Sequence, residues 1–91
     1  MLLAIDVGNT NIVVALYEGD YLRRFWRMAT DKNKASDEYG MLLSYFLLNE
    51  NVKLEEIDDV MIASVVPTVM HSLKNSVKRY IGRNPIMVGP G

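Results

Sequence analysis

Seventeen residues at the start of the chain constrain its fold more than any other stretch. Leu2 to Val7 is a short β-rich run, and Asn11 to Tyr17 is a second, dense in Ile12, Val13 and Val14. Only Gly8, Asn9 and Thr10 lie between them. Parallel strands need a crossover of a dozen or more residues, so strands this close must pair antiparallel. Gly8 and Asn9 both tolerate positive φ, and the expectation is a tight hairpin turn that uses this freedom. Glu18-Gly19-Asp20 is a second turn of the same kind. Tyr21 to Met28 then carries Tyr21, Leu22, Phe25, Trp26 and Met28 in a pattern that fits a third strand.

The periodicity changes after a polar stretch from Thr30 to Ala35. Ser36 is the expected N-cap of a helix, with Asp37 and Glu38 placed favourably against its dipole. Tyr39, Leu43, Phe46 and Leu47 follow at the spacing of one buried helical stripe, weakened a little by Gly40, and the helix should stop near Asn49 to Asn51. Val60-Met61-Ile62-Ala63 reads as a strand buried on both faces, as in a parallel sheet. Pro67 and Thr68 open a second helix, whose apolar face is Val69, Leu73, Val77, Tyr80 and Ile81 and whose stop is Gly82. Pro85 to Val88 is a last short strand. The order β-β-β-α-β-α-β predicts an α/β fold, a mixed sheet with helices packed against it. A chain that runs from a strand straight into Gly89-Pro90-Gly91 reads as interrupted.

Composition narrows the function classes. Ninety-one residues, 49% of them hydrophobic, make one small domain, which buries roughly two-thirds of its unfolded surface. The net charge is −1 and the pI about 5.7, which argues against nucleic acid as a partner. Charge is uneven: Glu50, Glu55, Glu56, Asp58 and Asp59 cluster in one stretch, whereas Lys74, Lys78, Arg79 and Arg83 follow without an acid. A solvated helix face is the plainest reading of the basic run. There is no cysteine, hence neither a disulfide nor a thiolate metal site. The opening apolar run is too short for a membrane span and lacks a basic leader, so the expectation is a cytoplasmic protein without a membrane partner.

Asp6-Val7-Gly8-Asn9-Thr10-Asn11 is the one dense constellation of chemistry-bearing residues. Gly8 allows close backbone approach to a ligand, and a turn of this kind can aim several N–H groups into one concave space suited to phosphate oxygens. Asn9, Thr10 and Asn11 add uncharged donors. Asp6 stands at the carboxyl end of a buried strand, where an unpaired carboxylate is costly; a bound Mg²⁺ would give it a partner. No Gly-Lys-Ser/Thr follows, so this is not a Walker loop. An ordinary hairpin turn, with Asp6 bonded to its own backbone, explains the same residues.

This constellation resembles the phosphate motif of type III pantothenate kinases, in the acetate and sugar kinase, Hsc70 and actin superfamily. Asp37-Glu38-Tyr39-Gly40, Ile62-Ala63-Ser64-Val65-Val66-Pro67 and Val88-Gly89-Pro90-Gly91 resemble the same family, in its order. The resemblance runs the length of the chain. It implies an RNase H-like half-domain over residues 1–91, with a second half-domain absent and ATP in the cleft between the two. It further implies transfer of the ATP γ-phosphoryl group to pantothenate, the first step towards coenzyme A, with Mg²⁺ and a monovalent cation (K⁺ or NH₄⁺) in the full-length enzyme. Asp6, Val7, Gly8, Asn9, Thr10, Asn11, Ile12 and Val13 would form the ATP-binding hairpin, and Asp6 would face Mg²⁺, directly or through water. The family's Gly-x-Asp-Arg element, with its catalytic base, would lie beyond Gly91, as would the cation site and a second phosphate loop. No catalytic residue is therefore assigned within the chain, which alone is expected to be inactive. A homodimer is implied for the full-length protein. Another phosphotransferase or phosphohydrolase of the superfamily, or a non-enzymatic transcriptional accessory factor, are the alternatives.

Other residues have plainer readings. His71, the only histidine, is expected on an exposed helix position rather than in a metal site. Trp26 and Phe25 suit packing or an interface better than a base-stacking platform. Met41, Met61, Met70 and Met87 read as core or helix-face residues. Ser64 lacks the Gly-x-Ser-x-Gly elbow of a nucleophile and is at most a support for the substrate cleft.

Overall fold

A computed structural model describes residues 1–89, so the expectation attached to Pro90 and Gly91 lies outside the described residues. Strands β1 (Leu2–Val7), β2 (Asn11–Glu18) and β3 (Tyr21–Ala29) are followed by helix α1 (Ser36–Asn49) and a single 3-10 turn (Leu54–Glu56). Strand β4 (Asp59–Ser64), helix α2 (Pro67–Ser76) running into a π-helical turn (Val77–Ile81), and strand β5 (Ile86–Val88) complete the order. The sheet order is β3-β2-β1-β4-β5. β1–β2 and β2–β3 pair antiparallel, while β1–β4 and β4–β5 pair parallel. This is the mixed sheet that the element order predicts.

Alternation sorts the strand residues. Leu3, Ile5 and Val7 of β1, Ile12, Val14 and Leu16 of β2, and Val60 and Ile62 of β4 are all buried on one face. Tyr39, Leu43 and Leu47 of α1 and Val69 and Leu73 of α2 join them in one core, with Val77 and Ile81 from the π turn. Each fully buried Leu or Ile contributes about 1.5–3 kcal/mol, against about 0–1 kcal/mol for a surface ion pair. The apolar face therefore sets the register, because a one-residue slip would turn a strand's whole apolar set outward.

Both helices lie on that one face, which corrects the expectation for β4. Its burial alternates, and Met61 and Ala63 are only half-buried. They belong to the opposite sheet face, where the register aligns Phe25, Ala15, Ala4, Met61 and Ile86 in one row and Arg27, Val13, Asp6, Ala63 and Val88 in the next. No helix among the described residues covers those rows. Trp26 and Phe25 divide accordingly: Trp26 stacks on Phe46 with centroids 5.0 Å apart, whereas Phe25 is exposed on the open side.

Local chemistry explains the helix ends. Ala35, not Ser36, is the N-cap of α1; lacking a side-chain oxygen, it donates its N–H to the Glu38 carboxylate at 3.0 Å instead. At the other end Arg23 donates to the Glu50 carbonyl at 2.9 Å, and Arg24 Nη1 lies 3.2 Å from the Glu50 carboxylate. A bulge near Leu16/Tyr17 places these neighbouring arginines together. Gly82 closes the π turn at φ 76°, a left-handed conformation that suits glycine. The π turn and the 3-10 turn break the 3.6-residue period that sequence patterning can detect.

The same π turn clamps α2 to α1. Tyr80 lays its ring against Gly40 and donates its hydroxyl to Asp37 at 2.9 Å, while Arg79 Nη1 reaches the same carboxylate at 3.0 Å. A Cβ at Gly40 would overlap the Tyr80 ring. Gly40→Ala is therefore expected to destabilise the chain by about 1–3 kcal/mol, as overpacking does. Tyr80→Ala in the same chain should recover part of that loss, both read from urea midpoints.

The Tyr80 hydroxyl, and after it the Arg79 guanidinium, hold the Asp37 carboxyl below its ordinary range; the amino terminus does the same for Asp58 at 2.8 Å. A lowered carboxylate pKa stabilises the fold above the unfolded value and loses that contribution as pH falls through the folded one. Stability should decline below about pH 4, and the decline should be shallower in Asp37→Asn when thermal midpoints are followed against pH.

Candidate functional site

The hairpin between β1 and β2 is a two-residue loop, Asn9-Thr10, closed by Gly8 N–H donating to the Asn11 carbonyl at 2.9 Å. It does not use positive φ: Gly8 and Asn9 both keep negative values, in contrast to Gly19 at φ 61° in the next turn. The tight hairpin is as expected, and only the use of positive φ at Gly8 and Asn9 is corrected. Close approach is what Gly8 supplies, because a Cβ there would stand 3.2 Å from the Asn11 carbonyl oxygen.

The reciprocal bond from Asn11 N–H to the Gly8 carbonyl is absent among the described residues. That carbonyl accepts the Thr30 hydroxyl instead, at 2.8 Å, and Thr30 N–H donates to the Thr10 carbonyl at 2.9 Å. The N–H groups of Asn9, Thr10 and Asn11 donate to no backbone carbonyl among the described residues. Asn9, Thr10 and Asn11 are exposed and Gly8 half-buried. Successive N–H groups without a protein acceptor in a short turn are the donor set that an anion can use.

Asp6 is exposed, on the open face of the sheet beside Val13 and Ala63. Its position corrects the desolvation argument made from sequence, since an exposed carboxylate needs no partner for the fold to tolerate it. Nor is Asp6 tied to its own backbone: among the described residues it makes no hydrogen bond or ion pair of the kind that engages Asp31, Asp37 and Asp58. The set fits Mg²⁺, which holds most of its waters and takes one or two carboxylates. No group of three His, Cys, Asp or Glu side chains among the described residues could hold an ion by itself, so Asp6 would be one ligand beside phosphate oxygens and water.

The eight residues proposed for the hairpin separate by face. Asp6, Asn9, Thr10 and Asn11 are exposed, with Gly8 and Val13 half-buried near them. Val7 and Ile12 are core residues at 1% and 0% exposure, so only their backbones can approach a ligand. Ser64 is buried at the end of β4, where its hydroxyl accepts the Val66 N–H at 2.9 Å. It shapes its own turn instead of reaching into a cleft. His71 is exposed, 3.3 Å from Asn75. Sequence reasoning passed over Thr30, which had no signal beyond being a polar residue after a strand. Its contacts depend on β3 returning to the first hairpin.

The fold, a mixed five-stranded sheet with both helices on one face, is shared with parts of larger solved proteins. A putative N-acetylglucosamine kinase from Porphyromonas gingivalis superposes at a TM-score of 0.68 with 17% identity, covering 98% of this chain and 34% of that one. The Ppx/GppA family member of Aquifex aeolicus superposes at 0.54 with 14% identity, over 98% and 35%. The family itself is set by sequence: residues 2–91 match the model of the type III pantothenate kinase family, and the chain belongs to it. It is 50% identical to the type III pantothenate kinase of Syntrophotalea carbinolica and 48% identical to that of an Exiguobacterium species, over all 91 residues in both cases. The chain spans 36% of the length of each of these relatives.

An exposed residue without a protein partner has little stake in stability. Asp6→Asn is expected to change the unfolding free energy from urea titration by less than about 0.5 kcal/mol while weakening Mg²⁺–ADP binding, measured by calorimetric titration. A large loss of stability would show that Asp6 is a structural residue.

Proposed function

We propose that this chain is the nucleotide-phosphate-binding half of an ATP-dependent pantothenate kinase, which moves the ATP γ-phosphoryl group onto the terminal hydroxyl of pantothenate. The observation that supports the reading is the hairpin: N–H groups at Asn9, Thr10 and Asn11 without a backbone acceptor, beside an exposed Asp6 with no counter-charge among the described residues, in a chain of the type III family.

Phosphoryl transfer asks the protein mainly for positioning and charge stabilisation. In this reading the backbone of Gly8 to Asn11 binds the phosphate oxygens and orients the chain of phosphates. Val13, on the open face, packs beside them. Asp6 would hold Mg²⁺, directly or through water, and the ion would supply neutralisation of phosphate charge. The backbones of Val7 and Ile12 carry the loop, and their buried side chains keep it on the core. The base, the pantothenate contacts and the monovalent-cation site (K⁺ or NH₄⁺) belong to sequence that the longer relatives have and these residues do not supply. Residues 1–91 would then be one half-domain, and a cytoplasmic homodimer is part of the same proposal. No helix among the described residues is long and apolar enough to cross a membrane. The open sheet face, with Phe25 53% and Ile86 49% exposed, is a surface that further structure would cover.

The test is an ADP-release assay on the polypeptide carried to the relatives' full length, with ATP, Mg²⁺ and K⁺, and with pantothenate present or omitted. Pantothenate-dependent turnover that falls at least about a hundredfold in Asp6→Asn is expected, the scale seen when a group that stabilises transition-state charge is removed. Release that ignores pantothenate would move the reading to a sister phosphotransferase. No release, with sequence-specific DNA binding instead, would favour the accessory-factor alternative.

A further inference from the structure

Thr30 makes two contacts with the hairpin turn, and they fall on alternate peptide planes. Its hydroxyl donates to the Gly8 carbonyl at 2.8 Å and its own N–H donates to the Thr10 carbonyl at 2.9 Å. The Gly8 carbonyl shares a peptide plane with Asn9 N–H, and the Thr10 carbonyl shares one with Asn11 N–H. In a planar trans peptide the C=O and N–H vectors point in opposite directions. Drawing both carbonyls towards Thr30 therefore turns the N–H groups of Asn9 and Asn11 away from it. The Gly8 carbonyl is also the one that Asn11 N–H would bond in a fully closed two-residue hairpin; here it takes the Thr30 hydroxyl and no bond from Asn11, whose donor is left available.

Thr30 is itself held from the core. The next residue, Asp31, accepts the Tyr39 hydroxyl on its carbonyl at 2.8 Å and donates its N–H back to that oxygen at 3.1 Å. Tyr39 is fully buried in α1. A phenylalanine would fill the same volume, but it would leave both Asp31 backbone groups without this partner. The methyl group of Thr30 restricts χ1 and so fixes the direction of its hydroxyl.

We infer that Thr30, braced by the buried Tyr39 hydroxyl, is the positioning residue that aims the Asn9 and Asn11 N–H groups at a phosphate-bearing ligand. The inference rests on the phosphate-binding reading of the hairpin. It joins two sequence motifs, Asp6 to Asn11 and Asp37 to Gly40, through a residue outside both. Tyr39 acts at a distance through backbone, and Thr30 acts on the turn itself.

The experiment compares the chain with Thr30→Val, Thr30→Ser and Tyr39→Phe by two readouts. Backbone ¹⁵N relaxation without ligand reports the order of residues 8–11, and calorimetry reports Mg²⁺–ADP binding. Thr30→Val should lower the order parameters at residues 8–11 alone and weaken Mg²⁺–ADP about three- to tenfold, the scale of one neutral hydrogen bond. Thr30→Ser should restore the order parameters at residues 8–11 and bring the affinity to within about twofold of the parent chain. Tyr39→Phe should act in the same direction. Unchanged turn order in Thr30→Val, or equal defects in the valine and serine variants, would overturn the clamp. Should the parent chain not bind Mg²⁺–ADP, the phosphate reading fails for this chain and the aiming role fails with it; relaxation would then report only whether Thr30 orders the turn.

Discussion

Strand β1 is the member on which the rest of the structure depends. It lies at the centre of the sheet, paired antiparallel with β2 on one side and parallel with β4 on the other. Its buried residues Leu3, Ile5 and Val7 are each 1% exposed. Two kinds of ladder meet on one six-residue strand, and both registers are fixed by the same apolar alternation. Near its amino end, Met1 donates its N–H₃⁺ to the Asp58 carboxylate at 2.8 Å, tying the start of the chain to the approach of β4. At its carboxyl end the chain turns at Gly8, beside the end of β4.

That geometry puts the polar residues where they cost the fold least. The helices pack on the face carrying Leu3, Ile5 and Val7, so the intervening residues, Asp6 included, look to the open face. Ligands of α/β sheets collect outside the carboxyl ends of strands for this reason: backbone donors and side chains gather there without interrupting the core. The hairpin departs from an ordinary turn in one respect. A fully closed two-residue loop would bond the Asn11 N–H to the Gly8 carbonyl, whereas here that carbonyl takes the Thr30 hydroxyl and the Asn11 donor has no backbone acceptor among the described residues.

Much of the fold was legible in the sequence because it depends on local spacing. The hairpins, the stripe of Tyr39, Leu43 and Leu47, and the stop at Gly82 all follow from residues close together in the chain. What the sequence hid depends on contacts between distant residues. Val60 to Ala63 read as buried on both faces because an apolar run cannot reveal that both helices choose one side of the sheet. Tyr80 read as a member of the apolar face; its ring against Gly40 and its hydroxyl on Asp37 depend on a π turn that has no local sequence signal. At the site, the motif from Asp6 to Asn11 was legible in composition and order, but not in conformation. The turn does not use the positive φ that Gly8 and Asn9 tolerate, and the close approach at Gly8 is to the Asn11 carbonyl. Asp6 was read as buried and is exposed. Family membership came from the matching of motifs along the whole chain, which no single turn could have supplied.

The central claim is that the first hairpin, and not another surface of this chain, receives nucleotide phosphates. The most direct measurement is an amide chemical-shift map of the chain titrated with Mg²⁺–ADP. The account predicts that the perturbed resonances centre on Gly8 to Asn11, with Thr30 beside them and the far ends of α1 and α2 unmoved. Perturbation centred instead on the apolar depression of about 480 Å³ lined by Ser44, Leu47, Leu48 and Val52, or none at all, would contradict it.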